Sequence, residues 1–396
     1  MRRLSSTLIL GLFILIMASP MTAMAAPTRQ DAIVIFSVSC LDHSGGAVQH
    51  PGATVPTMSN TFAIANILDT LDAWIGADLL LPDRLLIENM TAWVGSLFIN
   101  ETDTDPNYGG FLPYSSYPNA TLTASAFAVQ ALERLNRTQS IDSTILVNFT
   151  IDLQRTNATL YPDTVGGFTE NIQINTATVS ATFAAIQILE IYNAISQMNT
   201  SLAVSWLNSS QLLSNPASPS YGGFANGRNS TNADLQTTYM ALQSLEILGA
   251  LSTINQTAAI EYILLHYRED TNYPQFFGGF SNTPDNPVAT HLATFYAVAG
   301  LQILDASSQI TAEDVTGWVL STQTLDGGFA DIAGASGFAS QSNFAVSTLA
   351  LLDQLDTLLV PIGPDLFIFP WWIVAIAVVV IILVLCIIIA RRAEWF

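Results

Sequence analysis

The sequence predicts an all-α protein, a closed ring of six helical hairpins that can be written as an (α/α)6 toroid, and three periodic features carry that reading. Glycine pairs begin at Gly45, Gly109, Gly166, Gly222, Gly278 and Gly327, at spacings of 64, 57, 56, 56 and 49 residues, and five of them read GGF. That period fits one pair of helices. Downstream of each pair stands a shared string: "NTFAIANI", "SAFAVQAL", "TFAAIQIL", "TYMALQSL", "TFYAVAGL" and "SNFAVSTL". Its fourth position is Ala63, Ala128, Ala185, Ala241, Ala297 or Ala345. Positions four, five and eight lie on one helical stripe, and a small residue at a fixed place in every copy predicts close helix approach there. The third feature is an aromatic ahead of the glycines: Phe36 and Trp318 stand nine residues before, Trp93, Trp206 and Tyr262 sixteen, and Phe149 seventeen. It marks a companion helix, giving six pairs. Six hairpins with one buried stripe each hide those stripes best when the last pair closes on the first. The glycines are read as joints that turn the chain tightly into the inner helix, with the phenylalanine anchoring the loop.

The ends and the composition bound where such a ring would work. Half of the 396 residues are hydrophobic and the mean hydropathy is +0.41, enough for a large core with apolar sequence to spare. Residues 1–25 open with Arg2 and Arg3, continue through an apolar run and reach Ala23-Met24-Ala25, the pattern of a cleaved secretory signal that places the mature start at Ala26. Residues 367–390 carry no charge; as a helix they span about 36 Å, enough to cross a bilayer. Trp371 and Trp372 suit the outer interface, and Arg391 and Arg392 suit the inner one. The expected plan is therefore a signal (1–25), a ring domain (29–355), a linker (356–366), a single membrane span (367–390) and a cytoplasmic tail (391–396), with the ring outside the cell. Ten sequons, at Asn89, Asn100, Asn119, Asn136, Asn148, Asn157, Asn199, Asn208, Asn229 and Asn255, agree with an exported glycoprotein. Of the two cysteines, Cys40 lies in the ring sequence and Cys386 in the span, so the ring is expected to rest on its core rather than on a disulfide. The 11 positive residues are all arginines and face 31 acids, a balance that excludes nucleic acid as a partner.

The unit that joins "WVLSTQTLDGGF" to "DLQTTYMALQSL" resembles the repeat of protein prenyltransferase β subunits, whose α/α toroid is shared by squalene and terpene cyclases. The resemblance covers residues 29–355 and implies an axial apolar chamber, a zinc ion held by an Asp and a Cys two residues apart plus a His of the next repeat, and a helical partner subunit. Tested against that implication, Asp234 falls on the Asp position, whereas Gln236 stands for the Cys and Ala293 for the His. Neighbouring frames give Thr290, Leu292 and Gln341, or Thr178, Ser180 and Thr237. No frame restores the triad, so neither a metal nor another cofactor is expected. In the implied diphosphate pocket Arg228 matches the Arg and Thr231 replaces the Lys.

His291 misses the ligand position by two residues and reads as a helix-start histidine. The D-x-D-D acid of class II cyclases is absent; Asp69 and Asp72 are expected on a solvated helix face. The C-G-E-Q of thioester toroids is absent too, and Cys40, aligned with Gln323, reads as a buried structural thiol. Loops ahead of GGF carry Asp103, Asp105, Asp163, Glu269 and Asp270 with Tyr108, Tyr161, Tyr221, Tyr273 and Phe276, and are expected at one mouth of the ring. Three functions follow. The foremost is a binding module for a peptide, a lipid or a partner protein, using Arg228, Asp234, Gln236, His291, Tyr239, Phe295, Tyr296 and Phe344. The second is an isoprenoid transferase or cyclase with Asp234 and Arg228 as its working groups. The third is a glycan hydrolase built from rim carboxylates, with "DTDPN" as a calcium loop.

Overall fold

A computed structural model describes residues 27–157, 159, 164–332 and 334–361. The signal, the span, the tail, Tyr161, Asp163 and Cys386 lie outside the described residues. Among the described residues no helix is long and apolar enough to cross a membrane. The chain divides into two compact units, residues 30–357 and a second made from 1–29 with 358–396. Within the second, Thr28 pairs with Pro361 as an antiparallel bridge, and the Arg29 N–H donates to the Val360 carbonyl at 3.3 Å.

Six outer helices alternate with six inner ones. The outer set is α1 (Arg29–Ser39), α4 (Leu86–Ser96), α6 (Ser143–Asp152), α8 (Thr200–Ser209), α10 (Gln256–Leu264) and α12 (Ala312–Ser321). The inner set is α2 (Met58–Thr70), α5 (Leu122–Arg134), α7 (Val179–Ile191), α9 (Leu235–Ile247), α11 (His291–Ile303) and α13 (Ala339–Leu351). A short α3 (Trp74–Leu79) interrupts the path from α2 to α4, and a two-stranded ladder, β1 (Phe168–Thr169) with β2 (Ala177–Thr178), braces the third glycine loop. Each inner helix packs on the next, and α13 packs on α2, so the ring is closed.

The closure follows from one joint repeated six times. The first glycine of each pair has φ between 89° and 100°, a left-handed backbone that disfavours any side chain. A Cβ there would meet the backbone of the next outer helix: at 2.6 Å from the Ile145 carbonyl for Gly109, at 2.2 Å from the Asp314 carbonyl for Gly278 and at 2.3 Å from the Ala32 carbonyl for Gly327. The second glycine lies under the marker aromatic of the next hairpin: Gly46 under Trp93, Gly110 under Phe149, Gly167 under Trp206, Gly223 under Tyr262, Gly279 under Trp318 and, completing the circle, Gly328 under Phe36. The glycine pair is thus a landing for the neighbouring repeat as well as a turn within its own. The N–H after each pair donates to a buried hydroxyl of its own inner helix, from Ala47 to Thr61 at 2.9 Å through Phe329 to Ser342 at 2.9 Å.

Those hydroxyls fix the register, and they correct one repeat of the sequence alignment. Thr61, Ser125, Thr182, Thr238, Thr294 and Ser342 are equivalent. The first string therefore slips by one, and Ile64, not Ala63, faces the seam that Ala128, Ala185, Ala241, Ala297 and Ala345 face elsewhere; all six are fully buried. The eighth position then becomes leucine throughout, Leu68, Leu132, Leu189, Leu245, Leu301 and Leu349, again fully buried. Each of these leucine carbonyls accepts an N–H from the residue past a left-handed C-terminal position, occupied by Asp72, Asn136, Asn193, Gly249, Asp305 and Asp353. This is a Schellman closure, placed where Asp, Asn and Gly tolerate positive φ.

Candidate functional site

The inner helices start at the glycine-loop face and end at the opposite face. Their starts are capped by a hydroxyl or carboxyl: Thr57, Thr121, Thr178, Asp234 and Thr290 each accept the N–H three residues on. Asp234 therefore occupies a helix-cap position that threonine fills in four sister repeats. Its Oδ1 accepts from the Thr237 N–H at 2.7 Å and its Oδ2 from the Thr237 hydroxyl at 2.8 Å, so both oxygens serve the cap. Gln236 donates through Nε2 to the Tyr296 hydroxyl at 3.3 Å, and Ala293 is fully buried. Arg228 is exposed in the loop ahead of α9.

On the inner helices the aromatic side chains form a lining from one helix to the next, and Phe62, Phe127, Tyr239, Phe295 and Phe344 in it stay partly exposed. Tyr239 lies 5.2 Å from Tyr296, 5.8 Å from Phe295 and 5.9 Å from Phe183 by ring centroid. Phe344 stacks on Phe295 at 5.4 Å, and Phe62 on Phe127 at 5.4 Å. Burial pushes the Tyr239 phenol up to about 12 and the Tyr296 phenol higher still, which keeps both neutral. Beside these rings Asn66 donates to Asn343 at 2.7 Å, and Gln130 donates to Gln187 at 3.2 Å. At the far mouth Glu190 faces Glu133 and Glu246; burial first, and then those two charges, raise its carboxyl above the ordinary range.

His291, placed by the sequence among the ligand-binding residues, belongs to the core. It is fully buried as the first residue of α11, against Trp318 at 4.8 Å and Phe329 at 5.7 Å. Its Nε2 lies 2.8 Å from the Thr322 hydroxyl, which itself donates to the Val319 carbonyl, so the ring nitrogen is the donor. Complete burial lowers its pKa to about 3, leaving the imidazole neutral. The position reflects packing between α11 and α12, which a count of residues from the repeat threonine does not show. Cys40 is buried, as expected, with its thiol pushed up to about 12 chiefly by desolvation. Its register differs from the sequence alignment: the Cys40 carbonyl accepts the N–H of Val48 as the Thr322 carbonyl accepts that of Ala330, so Cys40 matches Thr322, one residue before Gln323. Asp69 and Asp72 lie on a solvated face, as expected; there Asp69 pairs with the exposed Arg134 at 3.4 Å and accepts the Trp74 indole N–H at 3.4 Å.

The "DTDPN" loop is held by its own turn. Asp105 accepts the N–H of Asn107 at 2.8 Å, and the Asn107 side-chain oxygen accepts from Ala120 at 2.9 Å. Among the described residues no three of His, Cys, Asp and Glu stand close enough together to hold a metal ion. One rim loop does form a cavity, of about 200 Å³, lined by Arg268, Asp270, Tyr273, Phe276, Asp285 and Pro287. Arg268 is committed to the loop itself, donating to Ser281 at 3.0 Å and to the Pro284 carbonyl at 2.9 Å. Asp270 Oδ1 accepts the Asn272 N–H at 2.8 Å and its side-chain amide at 2.7 Å, and the Asp285 charge acts on the Arg268 guanidinium. Of this set the sequence singled out Asp270, Tyr273 and Phe276; Arg268, Asp285 and Pro287 carry no motif that could have found them.

A closed ring of six helical hairpins, with glycine-pair joints at one face, defines an α/α toroid. The chain belongs to the prenyltransferase alpha-alpha toroid domain family, whose model matches residues 3–215, 111–286 and 211–362. Among solved structures it is similar to the Candida albicans protein geranylgeranyltransferase-I complexed with GGPP, at 16% identity and TM-score 0.61 over 78% of this chain and 88% of that one. It is similar also to the type II terpene cyclase MstE from Scytonema, at 14% identity and TM-score 0.52 over 83% of this chain and 98% of that one. No curated protein matches the sequence. Likeness at these identities speaks for the fold alone.

Proposed function

We propose that the chain is a membrane-anchored, outward-facing toroid that binds a peptide segment instead of transferring an isoprenoid. The observation that carries this reading is the fate of the family's metal positions. Asp234 is spent on a helix cap, Gln236 on Tyr296, and Ala293 has no ligating atom. Lacking the thiolate and the imidazole, the position has no means of holding zinc against a substrate thiol.

The rim cavity supplies the alternative site. With Arg268 drawn to Ser281 and Pro284, Asp270 and Asp285 leave the lining one charge negative, and beside Tyr273 and Phe276 that suits a cationic side chain, which carboxylates attract and aromatic faces accept. The ligand class that fits is a peptide presenting arginine or lysine. Export is supported by the sequons, none of which is buried; Asn199 and Asn255 cap helices through Oδ1, leaving the amide nitrogen available for a glycan.

The test compares an arginine-rich with a glutamate-rich peptide of equal length on the full chain in micelles. At least tenfold tighter binding of the basic peptide, abolished by Asp270→Asn with Asp285→Asn, is expected. Equal binding of both, or transfer from geranylgeranyl diphosphate to a cysteine peptide that Asp234→Ala abolishes, would contradict the proposal.

A further inference from the structure

The connection from α2 to α4 is unlike its four internal counterparts. It runs over residues 71–85, whereas 135–142, 192–199, 248–255 and 304–311 each make one 3-10 turn and enter the next outer helix. The added length contains α3, and its apolar side chains stand in water: Ile75 is 81% exposed, Leu79 57%, Leu80 51% and Leu85 47%. Among the described residues none of the other four connections exposes a large apolar side chain. The element is nonetheless fixed in place. The Trp74 indole donates to Asp69 at 3.4 Å on one side, and Asp78 accepts the Leu86 N–H at 3.1 Å on the other. Four leucine-sized side chains held outward on a fixed insertion need a partner, since their exposure opposes solubility and contributes nothing to the ring's core.

The surroundings narrow what that partner is. The connection carries three acids, Asp72, Asp78 and Asp83, against one cation, Arg84, so no basic cluster draws an acidic surface to it. A second copy of a chain with formal charge −20 would meet like charge there. The chain's own path points to lipid. The turn that follows α13 stands where every inner-to-outer connection stands, so the chain leaves the ring at Thr357 from the α3 face. Residues 358 and 359 still belong to the 3-10 turn and Pro361 pairs with Thr28, so only residues 362–366 of the sequence separate the described chain from the apolar run, and five residues reach at most roughly 18 Å, a short tether to any bilayer that run occupies.

We infer that the α3 insertion is a membrane-interface contact: Ile75, Leu79, Leu80 and Leu85 enter the headgroup boundary of the bilayer that holds 367–390. This rests on the anchored reading given above. Such a contact sets the glycine-loop rim away from the lipid, toward the medium. It is driven by apolar burial, so it does not require anionic lipid.

The experiment uses the full chain with Cys386→Ser, a nitroxide at Ile75→Cys or, as a rim control, at Asn272→Cys, and phosphatidylcholine nanodiscs. Power saturation compares access by oxygen with access by a water-soluble nickel chelate. The expected result is an oxygen-to-nickel ratio severalfold higher at position 75 than at 272, returning to the control value when Leu79→Asp and Leu80→Asp are added. An aqueous ratio at 75 in a chain that co-elutes with the discs would overturn the contact while leaving the anchor standing. Dipolar broadening between labels at 75 would overturn it in favour of a second copy. Failure to co-elute with the discs would overturn the anchor, and the contact with it.

Discussion

Gly327→Ala tests the joint where the last hairpin meets the first. Gly327 has φ +92°, and a Cβ there would lie 2.3 Å from the Ala32 carbonyl oxygen and 2.7 Å from its carbon. Two costs follow: about 1–2 kcal/mol for an alanine in the left-handed region, and a further ~2 kcal/mol or more for displacing a backbone that cannot swing aside as a side chain can. Gly334→Ala separates them, because Gly334 has φ +83° and open space around its would-be Cβ. Urea unfolding followed by circular dichroism should show Gly334→Ala losing about 1 kcal/mol and Gly327→Ala losing 3 kcal/mol or more. Equal losses would mean that α1 does not rest on the last glycine loop, and the closed seam would be refuted.

Other residues give sharper readings of particular roles. Asp234→Ala should cost about 1 kcal/mol of stability as a lost helix cap, and Asp234→Thr, the residue of four sister repeats, should restore it; a threonine variant as unstable as alanine would contradict the cap. His291 binds fewer protons folded than unfolded, since its pKa falls from 6.5 to about 3. Its contribution is therefore complete above pH ~6.5 and is lost as pH falls toward 3, on the order of 4–5 kcal/mol across that window. An acid-unfolding curve that His291→Leu leaves just as steep would contradict this. Glu190 has the opposite sign: its raised pKa means that stability is lost as pH rises through its titration, with Glu133 and Glu246 repelling the ionised form. Glu190→Gln should thus raise the unfolding midpoint at neutral pH, by less in high salt.

The ring was legible in the sequence because its joints are glycine pairs, and only glycine meets both the positive φ and the approach of a neighbouring helix. What the glycines touch was not legible, since Phe36 and Gly328 meet only through closure. The alanine string misled by one residue in the first repeat, where "TFAIA" offers two alanines; the leucine at position eight, and the Asp, Asn or Gly four residues beyond it, would have fixed the register. Asp234 was readable as a family match but equally as a cap, and its hydrogen bonds to Thr237 decide between them. The α3 insertion was hidden by composition, because Ile75, Leu79 and Leu80 resemble core residues until their exposure is known.

The most direct test of closure is a distance between the first and last inner helices. Nitroxides at Ser59→Cys on α2 and Ser340→Cys on α13, in the Cys386→Ser background with Cys40 buried, report it by pulsed electron resonance. Adjacent helices lie 8–10 Å apart, so a closed ring predicts a single narrow distribution below about 25 Å. Five successive steps around an open solenoid would place the labels roughly 40 Å apart or more, and a distribution centred there would contradict the ring.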